Sequence, residues 1–281
     1  MESITDGFNE IKDAHLGLTG CGIGKSPHFK HIRVLKKLCG NPPATDGAVL
    51  ADALLARIEH NWRAGRDEHE TAPSRENWRF RKAGNMASYN PSPEVTFERD
   101  FIEVAGDDWA NQVPTSSGLL GPWADKRRAI DLVECKGEGV FEFIELKIES
   151  DTPLIAALEV LDYAALYAFT RLNADELGYG PGFSELLEAQ HIKLRVLAPQ
   201  PFYGFKTRGD RRPYQLEWLE QALHTATSRL SKRIGREFQM DFRFEIFPDE
   251  FAWGPEHRRC RSHILKMMAG RRPLISRSDD R

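Results

Sequence analysis

The segment that most constrains the fold runs from residue 127 to residue 147, where two apolar stretches flank the sequence Gly137-Glu138-Gly139. Two apolar runs separated by a short turn that contains glycine are typical of a β-hairpin. The simplest register around this turn pairs residues 134, 133 and 132 with residues 142, 143 and 144. Asp131 is then expected to lie opposite Glu145, so that two carboxylates face each other on neighbouring strands.

Directly opposed carboxylates destabilise a sheet, and this pair therefore favours a divalent cation with oxygen ligands. Lys147 follows two residues after Glu145, so both side chains are expected on one face of the strand. An ammonium group beside a metal-bound water orients that water and offsets charge that develops on a phosphate. Acids and bases that alternate on a half-exposed strand are also typical of solvated surface, which stays open as the alternative for these residues alone.

A helix is predicted directly after the hairpin, over residues 152–167, because Thr152 and Pro153 form a start signal and apolar residues follow at helical spacing. Glu159 and Tyr163 are four residues apart and share one face of this helix. With these motifs the chain resembles the PD-(D/E)XK nuclease superfamily. The helix is similar to the Gln-x-x-x-Tyr element of the lambda-exonuclease-like and RecB-like branch, with Glu159 at the position of the Gln.

The resemblance covers residues 93–248 and implies the restriction-endonuclease-like fold. That fold is an α/β arrangement with an αβββαβ core, in which helices flank a central mixed sheet. Asp131 corresponds to the first acid of the family motif, and Glu145 and Lys147 correspond to its (D/E)XK element. The family's proline before the first acid is absent, because Ile130 stands there.

An acid from the helix before the hairpin often joins the metal site in such families. Glu98 is the expected residue, with Glu94 one turn earlier as the alternative, and either is equally suited to a solvated helix face. The resemblance implies Mg²⁺- or Mn²⁺-dependent hydrolysis of phosphodiester bonds in DNA, in host defence or repair. The implied metal ligands are Asp131, Glu145, Glu98 and the backbone carbonyl of Leu146. Lys147 would position the attacking water, and Glu159 and Tyr163 would support the site or contact the substrate.

Two functions of other classes remain open. One is a nucleic-acid-binding module on the same fold that no longer cleaves. The other is an interaction or scaffold protein of a defence or secretion system, which would bind its protein partner through the N-terminal region. Metal-dependent cleavage would exclude the first, and nucleic-acid affinity would argue against the second.

Charge restricts how the chain contacts nucleic acid. A net charge of −3 and a pI near 6.3 require local basic patches for such contacts. Two patches are residues 78–82 and residues 257–281, the latter with eight Lys and Arg against two Asp. The third, which follows Phe202, Tyr203 and Phe205, contains the predicted substrate-binding residues Lys206, Arg208, Arg211 and Arg212. Aromatic and basic side chains together hold phosphates and stack on unpaired bases, although basic loops are more often simply solvated.

Three regions are predicted along the chain. Residues 1–90 form a mainly helical N-terminal region, residues 91–250 the nuclease-like domain, and residues 251–281 a basic tail. Helices are expected at 28–38, 46–63 and 214–233, strands at 192–197 and 240–247, and a linker at 66–75. No apolar run approaches the ~18 residues of a membrane-spanning helix, and the start of the chain lacks a secretory signal. We therefore expect a cytoplasmic protein.

Cysteine and glycine motifs offer further sites. Four cysteines are too few and too scattered for a disulfide framework, and their placement does not suit an iron–sulfur cluster. Cys21, His28, His31 and Cys39 have the residue types of a zinc site, as do His257, Cys260 and His263, but neither spacing matches a standard zinc module. Residues 20–26 resemble a phosphate-binding loop, yet Thr19 stands where the Walker pattern requires glycine.

Overall fold

The computed structural model describes residues 3–18, 28–66, 73–83, 92–120, 128–206, 210–258 and 260–276. These residues form a mixed α/β fold in which helices flank a six-stranded mixed sheet. The helices are α1 (Phe8–His15), α2 (Ile32–Gly40), α3 (Gly47–Arg66), α4 (Pro93–Val104), α5 (Pro153–Leu172), α6 (Glu217–Ile234) and α7 (Arg261–Ala269). The strands are β1 (Trp109–Pro114), β2 (Ala129–Gly137), β3 (Val140–Leu146), β4 (His191–Ala198), β5 (Gly204–Lys206), β6 (Arg211–Pro213), β7 (Gln239–Ile246) and β8 (Arg272–Pro273).

The sheet has the strand order β1-β2-β3-β4-β7-β8, and β5 and β6 form a separate two-stranded ribbon. The strands β1, β2 and β3 are antiparallel neighbours, whereas β3, β4 and β7 are parallel. Parallel neighbours need crossover connections, and the helices α5 and α6 provide them. The mixed sheet flanked by helices confirms the coarse fold class expected from the sequence.

The hairpin has the register that the sequence predicts, with Leu132 opposite Ile144 and Glu134 opposite Glu142. Its turn requires a left-handed backbone, and Gly139 provides this with a φ of 69°. The register shifts between residues 135 and 137, at the turn end of β2. The other end of the hairpin, where the predicted site lies, pairs regularly.

The N-terminal helices share one hydrophobic core with the sheet. The helix α3 packs against α5 and α6, and Gly47 permits its close approach to α6, since a Cβ atom there would lie 1.9 Å from the carbonyl oxygen of Ala222. On α1, Lys12 Nζ lies 2.7 Å from the carboxylate of Asp162 on α5. The predicted helices at 28–38 and 46–63 are present as α2 and α3, and α1 was not expected.

The helix α5 lies in the centre of this core. By length and composition it is apolar enough to cross a membrane, contrary to the expectation from the sequence, and 94% of the relevant window is buried inside the protein. A helix that is apolar on all sides suits a position with protein on all sides. It therefore buries Tyr163 against the sheet, whereas about a third of the Glu159 side chain stays exposed.

The opposite face of the sheet is covered by α4 and α7 over a second, smaller core. The described part of residues 251–281 folds onto this face, and β8 pairs with β7. Arg271 inserts between carboxylates of three strands, with Glu142 at 2.6 Å, Glu245 at 3.8 Å and Glu134 also in contact. The basic residues here therefore serve intramolecular ion pairs, as Arg258, Lys266 and Arg272 also do.

In the predicted basic patch at residues 78–82, Trp78 is not available for stacking on bases. Trp78 is fully buried, and its indole nitrogen donates a hydrogen bond to Ser116 at 2.7 Å. Arg81 pairs with Glu76, and Lys82 donates to the carbonyl oxygen of Ala105. Burial of its large apolar ring places Trp78 in the core, although basic residues flank it in the sequence.

Candidate active site

Glu145 and Lys147 lie side by side at the carboxyl end of β3. Their side chains point the same way, as the alternation of a strand requires, and Lys147 Nζ is 2.8 Å from Glu145 Oε1. The other oxygen of Glu145 accepts a hydrogen bond of 2.9 Å from the hydroxyl of Tyr163. Lys147 also lies 3.0 Å from Glu159 and 3.3 Å from Asp151. The hairpin and α5 thus bring together four of the predicted site residues.

Asp131 joins them from β2. Its Oδ2 accepts a hydrogen bond of 2.9 Å from the backbone N–H of Leu146, which fixes the carboxylate beside the Glu145-Leu146-Lys147 segment. The side chain of Leu146 is buried in the smaller core, so only its backbone is available to the site. The pairing of β2 with β3 is regular up to Leu132 opposite Ile144 and ends one residue short of Asp131 and Glu145.

Glu98, on α4, lies near enough to this cluster for its charge to act on Asp131 and Glu145. It is 2% exposed and accepts hydrogen bonds from the side chains of Asn111 at 2.7 Å and Gln112 at 2.8 Å. Both amides belong to β1, where Gln112 has a φ of 48°. A positive φ is unusual for a residue other than glycine, and here it accompanies the orientation of a buried carboxylate.

Mutual repulsion and burial act on all three carboxylates. Burial and the nearby charge of Glu98 raise the pKa of Asp131 to about 7. Burial and the charge of Asp131 raise the pKa of Glu145 well above its ordinary range. Burial also raises the pKa of Glu98, although its two amide donors oppose the shift. Each carboxyl group is therefore harder to ionise than in water. A positive charge bound nearby would lower these pKa values again.

Lys147 is the one cation that the described structure places directly against Glu145. Burial alone would lower its pKa, but the charges of Glu145 and Glu159 outweigh burial and raise the pKa far above its ordinary value. The ammonium group is thus held in its charged form. It is suited to donate hydrogen bonds and to stabilise negative charge, and it is unsuited to act as a base near neutral pH.

Glu94, the alternative helix acid, has a different role. Its Oε1 accepts hydrogen bonds from the backbone N–H groups of Ile148, Glu149 and Ser150 at 2.9–3.0 Å. Burial would raise its pKa, but these donors outweigh it and lower the pKa to about 2. Glu94 therefore anchors the loop that follows β3, whereas Glu98 interacts electrostatically with the other carboxylates.

The oxygen donors of these three carboxylates suit a hard divalent cation. Lys147 supplies only one positive charge for the three groups, and a bound cation would stabilise their ionised forms. Among the described residues, no three His, Cys, Asp or Glu side chains are arranged as a ready group of ligands. Glu145 uses one oxygen for Lys147 and the other for Tyr163. Binding a cation here would consequently require Glu145 to exchange one of these contacts for the metal.

A groove of about 660 Å³ begins at the loop after β3, and we call it the aromatic groove. Asp151 lies in its lining and contacts Lys147 at 3.3 Å, so the groove reaches the candidate site. Of the predicted substrate-binding residues, Lys206 and Arg211 line it. Arg212 is exposed on the same ribbon but is not part of the lining, and Arg208 lies outside the described residues.

The predicted zinc residues have other partners. His31 caps α2 by accepting a hydrogen bond from the N–H of Arg33, and Cys39 packs against the larger core. Cys21 and the glycine-rich segment at residues 20–26 lie outside the described residues. His263 bonds to the carbonyl oxygen of Ala252, and the described residues around it contain no metal-ligating group.

Sequence reasoning missed three residues that shape the site. Asn111 and Gln112 orient Glu98, and Asp151 holds Lys147. Asp151 stands four residues after Lys147, and this spacing is only a weak indication in the sequence that the two side chains pair. Asn111 and Gln112 gave no such signal, because their role depends on the approach of α4 to β1.

Comparisons with known proteins do not assign this chain to a family. No protein-family model, curated protein or solved structure matches it.

Proposed function

We propose that this chain is a Mg²⁺- or Mn²⁺-dependent nuclease that hydrolyses phosphodiester bonds in DNA. The observation that carries the proposal is the convergence of Glu98, Asp131 and Glu145 from three different elements, with Lys147 at 2.8 Å from Glu145. Buried carboxylates are rarely left next to one another unless a function requires it. The same arrangement is expected of the PD-(D/E)XK superfamily, to which we assign the chain as part of this proposal.

The order of elements supports that assignment. The segment from α4 through β1, β2, β3 and α5 to β4 has the αβββαβ order of the restriction-endonuclease-like fold. The acids and the lysine occupy the positions within this order that the family motif predicts. Glu159 and Tyr163 on α5 both contact the site, at Lys147 and Glu145 respectively, which is in accord with a role for this helix in supporting it.

Asp131, Glu145 and Glu98 would hold the metal ion, together with the backbone carbonyl of Leu146. When bound, the ion raises the acidity of water and stabilises negative charge on the attacked phosphate. Lys147 would orient the attacking water and donate hydrogen bonds to the phosphate oxygens, since its amine stays charged. Tyr163 would hold Glu145 in place through its hydroxyl group.

Cleavage assays on linear, circular and single-stranded DNA, with and without Mg²⁺ or Mn²⁺, test the proposal. We expect metal-dependent cleavage that Glu145→Gln reduces by orders of magnitude, because this change removes a metal ligand and leaves the shape of the site intact. Glu138→Gln is the matched control, since Glu138 is an exposed carboxylate at the turn end of the same hairpin. Its activity should equal that of the wild type.

The same experiment separates the alternatives. Binding of DNA without metal-dependent cleavage would indicate an inactive nucleic-acid-binding module. The absence of both binding and cleavage would contradict the proposal and favour an interaction or scaffold protein. Cleavage that is equal in Glu145→Gln and Glu138→Gln would show that the carboxylate cluster is not the active site.

A further inference from the structure

We propose that the aromatic groove binds single-stranded DNA through its unpaired bases and leads the strand to the carboxylate cluster. This inference rests on the proposed function and specifies its substrate. It is carried by the aromatic side chains in the groove, by the balance of charge in its lining and by its contact with the candidate site.

Four aromatic rings line the groove and remain partly exposed. They are Phe202, Tyr214, Phe251 and Trp253. Large aromatic residues elsewhere, such as Phe143 and Phe242, are almost fully buried. Exposed rings that are gathered along one groove offer stacking surfaces, and every nucleobase has a face that can stack on them.

Contacts with buried neighbours hold two of these rings in fixed positions. The ring of Phe251 stacks on that of Phe247 with centroids 4.0 Å apart. Trp253 meets the edge of Phe97 at 4.9 Å, and its indole nitrogen donates a hydrogen bond of 3.0 Å to Thr96. Rings that are already fixed lose little conformational entropy when a ligand stacks on them.

The other two rings are partly buried and pack against the larger core. Phe202 contacts the fully buried Tyr203 at 5.2 Å between centroids, and Tyr214 contacts Phe205 at 5.2 Å. The hydroxyl group of Tyr203 is itself bonded to backbone carbonyl oxygens of β4 and β7. All four groove rings are therefore positioned before any ligand arrives.

The charges of the lining decide between a single strand and a duplex. Lys206 and Arg211 come from the ribbon, whereas Glu149 and Asp151 come from the loop after β3. The charges of these two basic and two acidic side chains cancel, so phosphate contacts alone give the groove little affinity for DNA. A duplex hides its base faces within the stack and offers mainly phosphates. Only unpaired bases can use the aromatic rings, and we therefore infer a single strand.

Fluorescence anisotropy with the full chain in EDTA tests this, because cleavage is then prevented. The probes are a labelled single-stranded DNA and its blunt duplex. We expect the single-stranded DNA to bind more tightly than the duplex. Phe202→Leu should weaken its binding by about ten-fold, as expected for the loss of one stacked base, and should leave duplex binding nearly unchanged.

Two matched controls accompany these measurements. Phe80→Leu removes a partly exposed ring that packs on Phe141 outside the groove, and it should not change affinity. Arg211→Ala should weaken DNA binding, whereas Arg212→Ala, one residue along the same strand, should not. The arginine pair tests the groove even if Phe202→Leu perturbs folding.

Equal or tighter binding of the duplex, or equal effects of Phe202→Leu and Phe80→Leu, would overturn the inference. Metal-dependent cleavage that persists in that case would leave the proposed nuclease intact. Ring-dependent binding of single-stranded DNA without metal-dependent cleavage would instead support the inference and contradict the proposed function.

Discussion

Glu94 and Glu98 lie one turn apart on α4, and the pKa values of their carboxyl groups are shifted in opposite directions. Three backbone N–H groups after β3 lower the pKa of Glu94 to about 2 despite its burial. Burial raises the pKa of Glu98, whose charge interacts with those of Asp131 and Glu145. One helix thus provides both an anchor for the loop next to Lys147 and a third carboxylate for the candidate site.

Glu94→Ala should destabilise the protein by about 1–3 kcal/mol at pH 7, because it leaves several backbone N–H groups without their acceptor. The wild-type carboxyl has a lowered pKa, so its stabilisation is present above the ordinary value near 4.5 and is lost as the pH falls towards 2. Urea denaturation at pH 7 and pH 3 measures this. Glu103→Ala on the same helix is an exposed control and should change little. A Glu94 effect that is equal at both pH values would contradict the assigned role.

In the metal-free protein, the contribution of Asp131 to the free energy of unfolding should fall as the pH rises from about 4 to about 7. Its folded pKa is raised, so the folded state binds more protons than the unfolded state in this window. Asp131→Asn should flatten that dependence and increase stability at pH 8 by on the order of 1 kcal/mol, a modest effect because Asp131 keeps some contact with solvent. Thermal unfolding in EDTA across this pH range checks it. Added Mg²⁺ or Mn²⁺ should raise the melting temperature of the wild type more at pH 8 than at pH 5, and should not do so in Asp131→Asn.

Lys147→Met should lower turnover by orders of magnitude while DNA affinity stays nearly unchanged, because the ammonium acts on charge that develops during the reaction. It should also destabilise the protein by about 3 kcal/mol, since Glu145 loses its buried partner. Single-turnover kinetics and anisotropy separate the rate from the affinity. The double variant with Glu145→Gln should recover most of the lost stability and none of the activity. Lost affinity with retained turnover would make Lys147 a phosphate contact only.

Tyr163→Phe should reduce cleavage and shift the acidic limb of the pH–rate profile to higher pH. The hydroxyl of Tyr163 donates to the ionised form of Glu145, so its removal raises the pKa of that carboxyl further. Tyr167→Phe is a matched control one turn along α5, because its hydroxyl donates to the carbonyl oxygen of Leu186 instead. Both variants should lose about 1 kcal/mol of stability, and only the first should move the pH profile. Equal profiles for the two would show that Tyr163 has only a structural role.

Local patterns in the sequence were sufficient for the hairpin and for the placement of Glu145 and Lys147. A glycine turn between apolar runs sets the register, and the two-residue period of a strand then puts these side chains on one face. The helix after the hairpin and the later strands followed from their periodicity in the same way. These features depend on residues that are close in the sequence, so the chain itself determined them.

Only the tertiary structure decided which acid of α4 accepts hydrogen bonds from the loop after β3 and which interacts with Asp131, because Glu94 and Glu98 have the same chemistry and differ only in what packs against them. It also decided that Trp78 is buried and that Arg271 pairs with carboxylates of the sheet rather than with solvent. Contacts of this kind join segments that are distant along the chain. Their free energy depends on burial and on the approach of whole elements, which no local pattern of residues encodes.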